Sequence, residues 1–128
     1  MAKIGFAHNS NIIIIDVVLS KMPRQRRVRM AIDTGATHVL IPWEVAESLG
    51  LKPEVSRERI EIITASGIEK VPVVDIPLIK VGSSEAKNVK AMVHDLPPKS
   101  YVDGLLGLSF LKKFNLNINF KEGFFELK

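Results

Sequence analysis

The segment AIDTGATHVLIP, residues 31–42, carries an acidic tripeptide at the end of an apolar stretch and then returns at once to apolar residues. Apolar neighbours on both sides predict that the Asp33 carboxylate is partly buried. A buried carboxylate is costly unless it is paired or used in chemistry. The segment therefore indicates a functional Asp33 at a strand-to-turn junction, and the alternative is an ordinary turn with no chemistry.

Short strands are predicted on both sides of this segment. They share an enrichment in apolar and β-branched residues and cover residues 11–19, 27–33, 59–64, 68–81, 88–96, 115–120 and 124–128. Two short helices are predicted at residues 43–51 and 108–114. In residues 68–81, Pro72 and Pro77 predict an edge strand or a kink, because proline cannot donate a ladder hydrogen bond. The predicted fold class is mostly β.

Length and composition predict one globular domain. A chain of 128 residues can build one core, and 46% apolar with 25% charged residues fits an ordinary folded protein. No linker or low-complexity segment divides residues 1–128, so they are expected to form a single domain. The longest apolar run, residues 12–19, is too short to span a bilayer and contains Asp16. We expect a soluble cytoplasmic protein with no membrane partner.

Several classes of site are excluded or disfavoured by the residue types present. The chain has no cysteine, which excludes disulfides, thiolate zinc sites and a cysteine nucleophile. His8, His38 and His94 lack metal-ligand spacing, so no metal and no cofactor are expected. The net charge is +4, but the one basic cluster, residues 24–29, has no aromatic residue beside it. The cluster is predicted to be a solvated turn running into a strand, and no nucleic-acid partner is expected.

Three motifs follow one another along the chain: AIDTGATHVLIP, then TASG at residues 64–67, then VDGLLGLSFL at residues 102–111. In this order and apolar context the chain resembles the retropepsin-like aspartic proteases, over roughly residues 10–128. The resemblance implies a closed or partly open β-barrel of the acid-protease type. It also implies a peptide or protein substrate and an active site built by one Asp-Thr-Gly from each of two identical chains.

The resemblance also implies roles for individual residues. Asp33, Thr34 and Gly35 match the catalytic tripeptide, in which Thr34 contacts the partner chain. The flap, a mobile hairpin tip that closes over substrate, corresponds to Thr64, Ala65, Ser66 and Gly67. The remaining matches are the substrate-contacting loop residues Ala36, Thr37 and His38 and the supporting residues Leu105, Leu106 and Gly107. Asp103 is expected to be a turn or capping residue instead of a catalytic one.

The chemistry accounts for the single motif. Peptide hydrolysis without a metal or a covalent intermediate needs a base to activate water and an acid to protonate the carbonyl oxygen and the amine. Two adjacent carboxylates that share one proton provide both functions. This chain has one such Asp, so a C2 homodimer must supply the second. Residues 124–128 alternate, end the chain, and are predicted to pair with the partner at a free strand edge.

Substrate preference and relationship within the family are also indicated. The apolar residues near the motifs, which are Val39, Ile41, Ile68 and Leu106, predict apolar side chains beside the scissile bond. Retroviral members typically carry Asp and Arg where this chain has Thr37 and Leu108, so the pattern is closer to cellular or prokaryotic members. A catalytically inactive, dimeric peptide-binding module of the same fold remains the alternative function.

Overall fold

The computed structural model describes residues 2–7, 9 and 11–128, so His8 lies outside the described residues. It contains ten strands, which are β1 Ala2–Gly5, β2 Ile14–Lys21, β3 Arg24–Ile32, β4 Val39–Ile41, β5 Arg59–Thr64, β6 Gly67–Val81, β7 Ser84–Val93, β8 Gly104–Leu106, β9 Leu116–Asn119 and β10 Phe124–Leu127. The helices are α1 Trp43–Ser48, α2 Leu108–Leu111 and a 3-10 turn at Pro53–Val55. None of the helices in this part of the chain is long and apolar enough to cross a membrane.

Six strands close into a barrel in the order β2-β3-β8-β4-β7-β6, and the pairing of β6 with β2 completes the ring. The β3–β8 and β4–β7 pairs are parallel, whereas the other four pairs are antiparallel. Alternate side chains of these strands fill the interior, where burial of apolar surface stabilises the fold. The fully buried members include Leu19, Met30, Ile41, Ile76, Ile79 and Leu106, and Phe110 of α2 packs into the same core. The predicted mostly β barrel with two short helices is confirmed.

Strand β8 has a position that organises the functional site. It lies between β3 and β4, with Ile32 opposite Leu106 in a parallel pair and Leu40 opposite Leu105 in an antiparallel pair. Because β3 and β4 flank β8, the loop at residues 33–38 that joins them has to pass over the end of β8. Two segments about seventy residues apart in the sequence are thus brought into contact.

The long strand β6 is part of the barrel wall and is not an edge strand. Over residues 78–80 it pairs with β7 on one side and β2 on the other. Pro72 stands at the end of the pairing with β5, and the β6–β7 register skips Pro77 and the opposite Asn88. The prolines therefore cost single ladder positions, and between them residues 73–76 pair with β7 alone. The predicted edge position is wrong for β6 as a whole, and the alternative of a kink stays a prediction.

Strand β10 is the middle strand of a separate three-stranded sheet, β1-β10-β9. Its neighbours occupy both of its edges, so the free edge predicted for residues 124–128 is wrong. The sequence prediction missed β1, which takes one of these edges. Phe125 and Leu127 of β10 are fully buried in the core. Deleting this strand would therefore test folding and not assembly.

The basic cluster at residues 24–29 lies within strand β3. Only Met22 and Pro23 form the turn between β2 and β3. The Arg26 guanidinium donates to both carboxylate oxygens of Glu44 on α1, at 2.7 and 3.1 Å, and to the hydroxyl of Ser48. The hydrogen bond to Glu44 raises the pKa of Arg26 against the opposing effect of burial. Arg26 therefore links helix α1 to the barrel.

Candidate active site

Asp33 directly follows strand β3 and begins the loop at residues 33–38. Its backbone N–H donates to the carbonyl oxygen of Leu106 at 3.2 Å, which continues the β3–β8 pairing by one residue. Its carboxylate oxygen Oδ1 accepts the backbone N–H of Gly35 at 2.9 Å. The Asp33 residue is half-buried, and this hydrogen bond fixes the direction of its carboxylate.

The absence of a side chain at Gly35 leaves space for the Asp33 carboxylate. A Cβ at this position would lie 3.2 Å from Oδ1 of Asp33, which is closer than most Cβ contacts. The φ angle of Gly35 is not among the left-handed values found at other glycines, such as Gly67. The glycine therefore lets the carboxylate lie against the backbone, and a left-handed turn is not the reason for it.

The segment Leu105-Leu106-Gly107 lies directly beneath the loop. The residues that follow it bind the loop through the backbone, because the N–H of Leu108 donates to Ala36 O at 2.8 Å and that of Ser109 to Thr37 O at 3.0 Å. A Cβ on Gly107 would overlap the carbonyl oxygen of His38 and would lie 2.7 Å from that of Ala36. Only a glycine permits this approach of two backbones.

The predicted flap residues form the tip of the β5–β6 hairpin. Thr64 stands opposite Gly67, with Ala65 and Ser66 between them. The Thr64 hydroxyl donates to Gly67 O at 3.1 Å and accepts the N–H of Ser66 at 3.2 Å, while Gly67 adopts a left-handed φ of 118°. The tip is therefore a well-defined turn.

The hairpin exposes an apolar pair just below its tip. Ile63 and Ile68 stand opposite each other and expose 89% and 69% of their surface. Isolated exposed aliphatic side chains are ordinary on protein surfaces. These two, however, stand opposite each other on neighbouring strands and form one exposed apolar pair beside the hairpin tip.

A cleft of about 330 Å³ separates this hairpin from the Asp33 loop. The loop contributes Ala36, Thr37 and His38, and the opposite wall consists of Ile60, Glu61, Ile62 and Met92. The sequence prediction missed the opposite wall, because the alternation of β5 indicates a strand but not which surface it faces. A larger cleft of about 560 Å³ borders β1, β2 and β3 and contains no residue of the loop. The smaller cleft is therefore the candidate substrate site.

Some residues near the motifs are not brought to this cleft. Val39, Ile41 and Leu106 are fully buried in the core, so their predicted contact with substrate is wrong, and of the four predicted residues only Ile68 is exposed. Asp103 exchanges hydrogen bonds with the backbone of Arg29, accepting its N–H on Oδ2 at 3.3 Å, immediately before β8. It therefore secures the beginning of β8 against β3.

Ligands for a metal do not converge at the site. Within the described part of the chain, no three histidine or acidic side chains are grouped so that they could hold an ion. His94 approaches Glu69 at 3.9 Å near the base of the hairpin, and His38 lines the cleft. The reactive groups that the loop exposes are the oriented, half-buried Asp33 carboxylate and the Thr34 hydroxyl.

Comparison with known proteins gives matches over most of the chain. Residues 23–113 match the family model described as "gag-polyprotein putative aspartyl protease". Over 90 residues the chain is 31% identical to the "Uncharacterized protein in cobV 5'region" of Sinorhizobium sp, a match that covers 70% of this chain and 37% of that protein. The chain thus spans little more than a third of the length of this curated relative.

Two crystal structures have the same fold. One is a retropepsin-like aspartic protease from Rickettsia conorii, with a TM-score of 0.74 and 24% identity over 98% of this chain and 99% of that one. The other is the retroviral protease-like domain of Ddi1 from Leishmania major, with a TM-score of 0.64 and 15% identity over 94% of this chain and 90% of that one. With the family model matching residues 23–113 and the motifs of that family at the Asp33 loop, the chain belongs to the retropepsin-like aspartic protease family.

Proposed function

We propose that residues 1–128 act as one aspartic endopeptidase domain, in which Asp33 from each chain of a homodimer activates a water molecule to hydrolyse a peptide bond. The observation that carries this proposal is the half-exposed Asp33 carboxylate, oriented by Gly35 in a loop that borders an open cleft beneath a projecting hairpin. Family membership adds support, because the family model that matches residues 23–113 is described as an aspartyl protease.

The proposed reaction uses two carboxylates with one shared proton. The ionised carboxylate takes a proton from water while the oxygen attacks the peptide carbonyl carbon, and the protonated carboxyl gives its proton to the carbonyl oxygen. Collapse of the tetrahedral intermediate then breaks the C–N bond. The carboxyl that took the proton from water gives it to the leaving amine, and a hydroxyl of the intermediate returns a proton to the other carboxylate, so the pair again holds one shared proton. The Gly35 N–H on Oδ1 fixes the direction of the Asp33 carboxylate and leaves Oδ2 and the second lone pair of Oδ1 for the water and the shared proton.

A two-chain site agrees with the exposure of the loop. Thr34 and Gly35 are exposed in the single chain, and Asp33 is only half-buried. A second copy related by a two-fold axis would cover these residues and bring in the second carboxylate. The flap hairpin would then close over the substrate and exclude water from the reaction.

The rate per chain is expected to increase with protein concentration and then to reach a plateau, because only the dimer contains a complete site. The measurement combines peptide cleavage assays over a dilution series with analytical ultracentrifugation at the same concentrations. A strictly monomeric species with a constant rate per chain would contradict the shared site. A stable dimer that binds peptides and cleaves none would favour the inactive binding module instead.

Ile68→Ser is expected to lower kcat/KM about tenfold, because it removes half of the apolar pair proposed to contact substrate. Since Ile68 is already 69% exposed, the free energy of unfolding should change by less than about 0.5 kcal/mol. Val55→Ser is the matched control, because Val55 is also 69% exposed but lies in the 3-10 turn. Equal kinetic effects of the two substitutions would contradict the proposed role of the hairpin.

A further inference from the structure

Ser109 joins three parts of the barrel through one side chain and one backbone group. Its hydroxyl accepts the backbone N–H of Val39 at 2.8 Å and donates to the carbonyl oxygen of Lys90 at 2.7 Å. Its own N–H donates to the carbonyl oxygen of Thr37 at 3.0 Å. The residue thus connects α2 with the end of the Asp33 loop, with the beginning of β4 and with β7.

These hydrogen bonds fix the β4 end of the loop, whereas Asp33 fixes the β3 end. At the β3 end, the N–H of Asp33 is bound to Leu106 O. At the β4 end, Thr37 of the loop and Val39, the first residue of β4, are bound through Ser109. A loop of six residues fixed at both ends has little freedom to shift the carboxylate.

The hydroxyl is the part of this arrangement that an apolar side chain cannot replace. Val39 is completely buried, so its N–H has poor access to water if the hydroxyl is removed. A hydroxyl accepts one hydrogen bond while it donates another, which an apolar side chain cannot do. Ser109→Ala would therefore leave the Val39 N–H and the Lys90 carbonyl without this shared partner.

We propose that Ser109 is a positioning residue of the Asp33 site, acting through the backbone of residues 37–39. The proposal rests on the proposed protease function for its kinetic consequence. In a dimer, each loop has to place its Asp33 carboxylate close enough to the Asp33 carboxylate of the other chain for the two to share a proton. A small displacement of a reacting group reduces the rate strongly, by as much as about a hundredfold for 1 Å.

The first test compares Ser109→Ala, Ser109→Thr and wild type at concentrations where the dimer is saturated. Ser109→Ala is expected to lower kcat at least about tenfold with KM changed less than about threefold, and to shift the pH–rate profile. Ser109→Thr retains the hydroxyl and should recover most of kcat. Ser48→Ala is the matched control, because the Ser48 hydroxyl also bridges a guanidinium and a backbone carbonyl, yet far from the loop. It should leave kcat within about twofold.

The second test does not depend on activity. Backbone amide exchange at Gly35 and Ala36 should become at least about tenfold faster in Ser109→Ala than in Ser48→Ala. If wild type cleaves no peptide, the protease function fails, while the exchange rates still report on the loop. The Ser109 proposal is overturned if exchange in residues 33–38 is unchanged. It is also overturned if an active Ser109→Ala keeps the wild-type kcat and pH–rate profile and loses only thermal stability.

Discussion

Asp33→Asn is expected to lower kcat for peptide cleavage by at least about a thousandfold while the barrel stays folded. The amide oxygen can still accept the Gly35 N–H, and the side chain has nearly the same volume, so the loop keeps its shape. What is lost is the group that takes and returns the proton. Kinetic assays and circular dichroism on the same purified sample would measure both effects.

Asp16→Asn provides the control for this substitution, because Asp16 is exposed on β2 and borders the larger cleft, away from the loop. It should leave kcat within about twofold of wild type. An Asp33→Asn variant that cleaves peptides as fast as Asp16→Asn would refute the catalytic assignment.

The same variant can also report on the two-chain site. When an excess of Asp33→Asn chains is mixed with wild type and allowed to exchange, wild-type chains should be captured in mixed dimers. Each mixed dimer has one carboxylate and should be inactive, so activity falls as the excess increases. A site contained in one chain would not respond to the added variant.

Gly107→Ala is expected to lower the free energy of unfolding by about 3 kcal/mol or more. The added methyl group would overlap the carbonyl oxygen of His38 and approach that of Ala36 to 2.7 Å, and both of these are backbone atoms that cannot rotate away. The φ of −92° is ordinary for any residue, so the loss arises from space alone. Urea denaturation would measure it.

Gly5→Ala is the matched control, since the nearest atom to a Cβ there is Gly123 O at 3.8 Å, an ordinary contact. Its effect on stability should stay within about 1 kcal/mol. If the folded fraction of Gly107→Ala retains full kcat, the Asp33 loop would have to remain active although the added methyl group displaces it. That result would contradict the close coupling between Gly107 and the loop.

The sequence predicted the features that depend on local pattern. The hairpin with its tip at Gly67 follows from two alternating segments around a glycine, and the helix after Pro42 follows from an apolar periodicity between a proline and a glycine. The position of the Asp33 loop on the segment around Gly107 followed from the family resemblance and not from periodicity. The catalytic and flap residues themselves stay predictions until activity is measured.

Other features depend on contacts that no local pattern encodes. Strands β4 and β8 have three residues each, too few to display a period of two, and both are completed by partners distant in sequence. Strand β1 was missed for the same reason, and its place beside β10 overturned the predicted free edge. Val39 and Ile41 are buried because β4 lies between β7 and β8 in the barrel wall, and the sequence of β4 alone does not reveal these neighbours.

The insertion of β8 between β3 and β4 has a consequence for the order of events during folding. Contacts between residues near position 35 and residues near position 107 close a long loop, and such contacts form late because their entropic cost comes first. Until then the N–H of Asp33 and the carbonyls of Ala36 and Thr37 have no backbone partners from this segment. A chain emerging from the ribosome therefore carries Asp33 for some seventy residues of synthesis before the loop can take its final shape.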